Sequence, residues 1–255
     1  EQVIGNTTFK IEYERPSVRG RIIFGELVPW SEVWRIGAGA CTKISFDRSV
    51  KIFDQEIPAG TYSLYTKPTP TEWSFMINTD TTLYGSSDYS SVNDVIQFIV
   101  KPVKTKRFYE TMTFDIEMLD NNALVTFSWE RTQVSFLIKT TTNEEVNTQI
   151  KSNLLTGKNT VADDYAGGAS FLLSRDTDLI TALDLANRAI QLDPQSEWAR
   201  NLKIEICVKL EKYQEALDEI ESTIFMLQDK GGRAAEINDL KVDQERLTKL
   251  RKKQK

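Results

Sequence analysis

Apolar residues alternate with polar ones through most of the first half of the chain. Trp73, Phe75 and Ile77 alternate with Ser74 and Met76, and Ala123, Val125, Phe127 and Trp129 with Leu124, Thr126 and Ser128. Phe108, Met112, Phe114, Ile116 and Met118 fall on one side of a longer segment, and Val134, Phe136 and Ile138 on one side of the last. A period of two sends successive side chains to opposite faces of a strand, so these segments read as half-buried antiparallel strands. Pro58-Ala59-Gly60, Lys67-Pro68-Thr69-Pro70 and Asp120-Asn121-Asn122 supply turn residues between them. No helix-length pattern intervenes from Thr7 to about Lys139. The short, regular spacing favours a β-sandwich of jelly-roll-like build over a parallel α/β sheet.

The pattern changes after Lys139. Thr140 to Asn143 form a capping cluster, and Val146, Ile150 and Leu154 follow at helical spacing. Breaks are expected at Gly157, Ser174 to Asp176, Asp193-Pro194, Glu211-Lys212 and Gly231-Gly232, with a final helix from about Arg233 to Lys252. The fold class is therefore α+β, a β domain over 1–140 and an all-α domain over 141–255.

Within the helical half, Ala182 and Ala216 stand 34 residues apart, and Leu179 matches Tyr213, Ala186 Ile220 and Ala189 Thr223 at the same interval. That is the period of the tetratricopeptide repeat, whose second helix the stretch Leu179 to Pro194 resembles. Small side chains at Ala182, Ala186, Ala189 and Ala216 allow close helix approach, and Pro194 stops one helix before the next begins near Ser196. The first helices lack the usual Trp and Gly-Tyr features, and Gln228 stands where the repeat carries proline. Two units fall short of the three or so that a solenoid needs, so the array is expected to lean on the β domain or on its final helix. The resemblance implies a protein or peptide partner in the helical domain.

A chain of 255 residues with 40% apolar content can bury two modest cores. The net charge of -5 argues against a nucleic-acid binder, and the basic residues Lys249, Arg251, Lys252, Lys253 and Lys255 are read as the only cluster, capping the end of the last helix. No apolar run approaches the roughly 18 residues of a membrane-spanning helix. Histidine is absent, which excludes Ser-His-Asp and Cys-His machinery and His-ligated metals within this chain. Cys41 and Cys207 fall in different halves and are expected as buried free thiols. No cofactor and no metal centre is expected.

One block lacks both periodicities. Glu14 to Ala38 contains Arg15-Pro16, Gly20-Arg21, Phe24-Gly25 and Trp34-Arg35-Ile36-Gly37-Ala38. With Pro58 to Tyr65, Glu72 to Asn78 and Asp94 to Pro102 in this order, it resembles the domain of unknown function 2911 family of secreted bacterial proteins, from Phe9 to about Lys139. The resemblance implies a secreted or periplasmic compartment, a signal peptide already removed, and a helical extension. Where the family continues Asn-Glu-Ala-Thr, this chain has Gly39-Ala40-Cys41-Thr42, so an amide and a carboxylate are missing.

Arg15, Arg21, Trp30, Trp34, Arg35 and Tyr65 are the candidate ligand-binding residues. Guanidinium forks hold carboxylates or phosphates, and indole and phenol faces stack on sugars. The plainer alternative is that the arginines tie down loop carbonyls or pair with Glu14, Glu26 and Glu32, while most aromatics pack the core. Trp30, after Pro29, is the best candidate for exposure, whereas Trp73 and Trp129 alternate as core residues. Asn78, Asp80, Asp88, Asn93 and Asp94 offer calcium-type oxygens or ordinary Asx turns. A carboxylate pair among Asp47, Asp54, Glu56 and Asp80 is open, and Cys41 is the candidate nucleophile beside Lys43, against inert burial. Two functions compete: a non-enzymatic binding or assembly module at the cell envelope, and a carboxylate- and arginine-based enzyme or lectin-like domain for glycans, centred on Arg35, Arg21 and Glu26.

Overall fold

The computed structural model describes residues 1–157, 161–231 and 233–254. Gly232 of the expected helix break and Lys255 of the basic tail lie outside them. The chain divides into two compact units, Glu1–Glu144 and Glu145–Lys255. The division falls one residue past the capping cluster, at Glu144, because that cluster is bound to the β unit. Thr140 Oγ1 donates to the Asn121 carbonyl at 2.6 Å, Thr142 Oγ1 to Asn6 Oδ1 at 2.7 Å, and Asn121 Nδ2 to Asn143 Oδ1 at 3.0 Å.

The first unit contains ten strands: β1 (Gln2–Ile4), β2 (Thr7–Glu12), β3 (Thr42–Phe46), β4 (Val50–Ile52), β5 (Gln55–Ile57), β6 (Gly60–Pro68), β7 (Trp73–Asn78), β8 (Asp94–Val100), β9 (Val103–Leu119) and β10 (Asn122–Lys139). Six form one sheet in the order β1-β2-β3-β6-β7-β8, and four form the other in the order β5-β4-β10-β9, with antiparallel pairing throughout. Side chains from both sheets share one core, including Phe9, Ile44, Trp73, Phe75, Phe127 and Phe136. β9 and β10 meet at Leu119↔Asn122, where Asp120 and Asn121 take φ of 49° and 58°. Two central residues with positive φ make the hairpin turn that matches strand twist, and Asp and Asn tolerate it best after glycine.

The inward set on β10 changes parity along the strand. Ala123, Val125, Phe127 and Trp129 are buried at odd positions, and Thr132, Val134, Phe136 and Ile138 at even ones. The alternating runs before and after Arg131 therefore belong to one strand of 18 residues, with its register shifted on both sides of Glu130, which has φ 55°. A bulge moves the following side chains by one face without ending the strand. The reading of β9 is corrected at both ends, at Phe108 within these register shifts and at Met118 beside the hairpin turn. Met112 and Phe114 are buried, but Phe108 and Met118 are 44% and 63% exposed.

The second unit carries α1 (Thr142–Gln149, beginning in the first unit), a π turn (Ile150–Leu154), α2 (Ala162–Ser174), α3 (Leu179–Leu192), α4 (Glu197–Lys209), α5 (Tyr213–Lys230) and α6 (Ala234–Gln254). Asp178 and Ser196 cap α3 and α4, their side chains accepting from the Thr181 and Ala199 amides. Successive helices from α2 to α6 pack on one another. Ala182, Ala186, Ala189 and Ala216 are fully buried, and Leu179 and Tyr213 pack partly buried against the same core. On α4, polar side chains stand at the crossing with α5: Arg200 pairs with the 6% exposed Glu219, and Lys203 Nζ lies 2.8 Å from its other oxygen. Cys41 and Cys207 are buried free thiols.

Candidate functional site

The irregular block between β2 and β3 binds the edge strand β9 to β6. Val18 N donates to the Glu110 carbonyl, Met112 N to the Pro16 carbonyl, and Trp34 and Thr66 exchange both backbone hydrogen bonds at 2.7 and 2.9 Å. Arg19, Gly20, Gly25, Ser31, Ile36 and Gly39 all have positive φ there, which explains the lack of periodicity. Ile36 is held in this conformation while fully buried, a strain that surrounding contacts must outweigh.

The six candidate residues of the first unit separate into distinct places. Arg15 spends its guanidinium on the Met112 carbonyl at 3.0 Å and Thr113 Oγ1 at 2.9 Å, and Arg21 on the Val18 and Ser17 carbonyls. Trp34 is buried in an aromatic cluster, stacked at 5.9 Å on Trp129. Trp30 stays 37% exposed and stacks on Phe24. Arg35 is half-buried, and its Nε has no hydrogen-bond partner among the described residues.

Tyr65 is fully buried outside the main core, with Cys41 and Met76. Cys41 Sγ and Ser63 Oγ are 3.0 Å apart, and Ser63 Oγ donates to the Asp80 carbonyl at 2.7 Å. Burial first, then the neighbouring Cys41 thiol, pushes the Tyr65 phenol well above its usual range. Its oxygen is near Cys41 and Ser63 but makes no well-formed hydrogen bond among the described residues. Tyr89, 5.0 Å from Tyr65 ring to ring, is pushed up by burial and by its hydrogen bond to Asp94. Of the oxygens considered for calcium, those of Asp94 and Asp80 are engaged locally. Asp94 accepts from Asn78, Tyr89 and Gln97, and Asp80 accepts from the Thr82 amide and hydroxyl. Beside Cys41, Gly39 has φ +68°, and a Cβ there would lie 2.5 Å from Glu14 Oε1. The same oxygen accepts from Ala40 N at 3.3 Å. The chain thus folds a carboxylate of its own over the Gly39-Ala40 step.

A concave site of different character lies in the helical unit. A cleft of about 490 Å³ opens between the α1–π-turn segment and α2, with Ile150, Leu154 and Phe171 for its apolar floor and Gln149, Asn153 and Asp163 at its edge. Asp163 and its neighbour Asp164 occupy the first turn of α2, where a carboxylate also favours the positive end of the helix. The cleft exists because two adjacent glycines leave α2 bare. A Cβ on Gly168 would meet Leu154 Cδ1 at 2.7 Å, while one on Gly167 would meet nothing within 4 Å. Sequence reading overlooked this site. Its signal was the Gly167-Gly168 pair inside a helical pattern, which normally has a packing or functional reason.

Among carboxylates with shifted pKa values, the direction is uniform. Backbone and side-chain donors from Thr8 lower Asp47, the Thr82 donors lower Asp80, Arg233 and Lys230 lower Glu197, and its own amide and Arg233 lower Glu236. No group of three or more carboxylates and thiols placed to hold a metal ion occurs among the described residues. No helix among them is long and apolar enough to cross a membrane.

A family model described as a protein of unknown function, DUF2911, matches residues 1–138. The chain belongs to the DUF2911 family. The match ends one residue before the end of β10, so it covers the two sheets and leaves the helices outside. The Gly39-Ala40 departure and the Glu14 carboxylate that covers it fall within the DUF2911 region. No curated protein matches the chain.

Proposed function

We propose that this DUF2911 protein is a non-enzymatic binding module and that its helical unit receives a peptide segment of a protein partner. The α1–α2 cleft carries this reading: an apolar floor for one or two side chains and an acidic edge for a neighbouring Lys or Arg. The tetratricopeptide-like interval supports it, since the small residues at that interval sit fully buried at the helix crossings. Against the enzymatic alternative stand the guanidinium groups of Arg15 and Arg21, spent on carbonyls and a hydroxyl, and the downward direction of the shifted carboxylates. An acid catalyst needs a pKa moved upward. The compartment, secreted or periplasmic at the cell envelope, rests on the family resemblance.

The test uses a fluorescent peptide of alternating Leu and Lys and its Leu and Glu counterpart, titrated with the full chain. The Lys peptide is expected to bind, and Gly167→Leu to weaken it by about tenfold or more by filling the cleft from a position with open space. Asp163→Asn should weaken it as well, with helical dichroism unchanged in both variants. Equal binding of the Glu peptide, or an unaltered affinity in Gly167→Leu, refutes the reading.

A further inference from the structure

A second concavity, of about 140 Å³, lies in the β unit, walled by Trp30, Trp73, Pro70 and Pro102 with Lys104 and Thr132 at its edge. Its walls come from four separate segments: the irregular block, the β6–β7 turn, the β8–β9 turn and the bulged part of β10. They are held in place by contacts within the chain. The Ser31 amide donates to the Pro68 carbonyl at 2.8 Å, and the Trp30 indole lies so close over Gly25 (φ +99°) that a Cβ there would be 2.6 Å from its Nε1. Phe24 backs both indoles, 6.1 Å from Trp30 and 5.1 Å from Trp73.

Basic charge gathers beside this slot, although the chain as a whole carries -5. The tail is therefore not the sole basic cluster. Lys101, Lys104, Lys106 and Arg107 follow one another around the start of β9, and Arg131 lies next to Thr132, the cross-strand partner of Lys104. Between Lys104↔Thr132 and Tyr109↔Glu130 the register shifts, so β9 bulges through Lys106 and Arg107. Arg131 Nη1 fixes this bulge by donating to the Lys106 carbonyl at 2.6 Å. None of the five cations has an ion-pair partner among the described residues. Bulges at sheet edges re-aim side chains, and this one turns charge toward the rim beside the aromatic slot.

We infer that the slot takes one ring of a carboxylated polysaccharide, a uronic acid, with its C–H face against Trp30 and its carboxylate on Lys104, and that the chain continues over the basic bulge. The volume admits a single ring. The exposed Trp30 indole suits a flat apolar sugar face and Lys104 at its edge a carboxylate or hydroxyl, while the buried Trp73 and Thr132 shape the slot from behind. Duplex nucleic acid, which packs one phosphate per roughly 1.7 Å, would meet strong repulsion from a net-negative protein, and a single strand, oligothymidylate, is compared directly with the uronate. A uronate chain carries one charge per sugar or two, which five cations can match.

The test is a titration of the full chain with oligogalacturonate, its methyl ester and oligothymidylate, read by tryptophan fluorescence and calorimetry. Oligogalacturonate is expected to bind, more weakly as salt rises, and the methyl ester about tenfold or more less tightly. Lys104→Gln, a surface change that leaves the fold intact, should cost a similar factor, as should Trp30→Ala, while Gly167→Leu in the helical cleft should change nothing. No binding of oligogalacturonate, equal binding of its ester, tighter binding of oligothymidylate, or an unaffected Lys104→Gln variant overturns the inference.

Discussion

The adjacent glycines of α2 offer a controlled comparison, because the same methyl group enters two environments one residue apart. Both lie inside the helix Ala162–Ser174, so replacing either with alanine recovers the backbone entropy that glycine costs, about 0.8–1.0 kcal/mol. At Gly167 nothing offsets that gain, since the new Cβ has no neighbour within 4 Å. At Gly168 the methyl would stand 2.7 Å from Leu154 Cδ1, 3.1 Å from Leu185 Cδ1 and 3.5 Å from Ile150 Cγ1. Leu185 is fully buried and Ile150 and Leu154 nearly so, leaving little room to repack; overpacking of this kind costs about 1–3 kcal/mol. Gly167→Ala should therefore stabilise the helical unit by up to about 1 kcal/mol, and Gly168→Ala should leave it unchanged or destabilise it by up to about 2 kcal/mol. Urea unfolding followed by helical dichroism measures both, with the slope of each transition checking that the compared states are equivalent. Equal stabilisation by the two substitutions would refute the argument that Gly168 is fixed by contact and Gly167 by an open cleft.

Ala182→Trp or Ala216→Trp forces a large ring into a fully buried helix crossing and should lower stability by about 1–3 kcal/mol or more; an unchanged melting temperature would contradict the packing described for α3 and α5. Glu219→Ala leaves Arg200 and Lys203 facing each other without their shared carboxylate. The expected loss is on the order of 2 kcal/mol, below the roughly 3–5 of a fully buried pair because both cations retain some water, and thermal unfolding of the variant checks it. Burial raises the Cys207 thiol from 9.0 to about 11. The unfolded chain therefore releases this proton first, and the contribution, complete below pH 9, is lost as pH rises toward 11. Cys207→Ala should flatten the alkaline decline in melting temperature, and an identical decline in the variant would show that the thiol is not its source.

Much of the architecture was legible because it depends on short-range rules. Period two gave the strands around Phe75, Phe127 and Phe136, and Asp120-Asn121 gave a hairpin turn through its tolerance of positive φ. Leu179, Ser196 and the 34-residue interval marked helix starts and the small residues buried at helix crossings. The family followed from an ordered series of motifs in the irregular block.

Other features were decided only when distant segments met. A one-residue shift at Glu130 cannot be read from composition, yet it joins two alternating runs into one strand and places Arg131 beside the basic bulge of β9. Whether an arginine is spent or available depends on carbonyls far away in the chain: Arg15 meets Met112 and Thr113 on β9, whereas Arg35 finds no acceptor for its Nε among the described residues. The two concavities have the same origin. Gly167 opens space only relative to Ile150 and Leu154, and Trp30 becomes a wall only when Pro70, Trp73 and Pro102 arrive beside it. Periodicity and turn chemistry are local properties of the backbone and survive in the sequence, while the shape and charge of a site are sums over elements that the chain brings together only on folding.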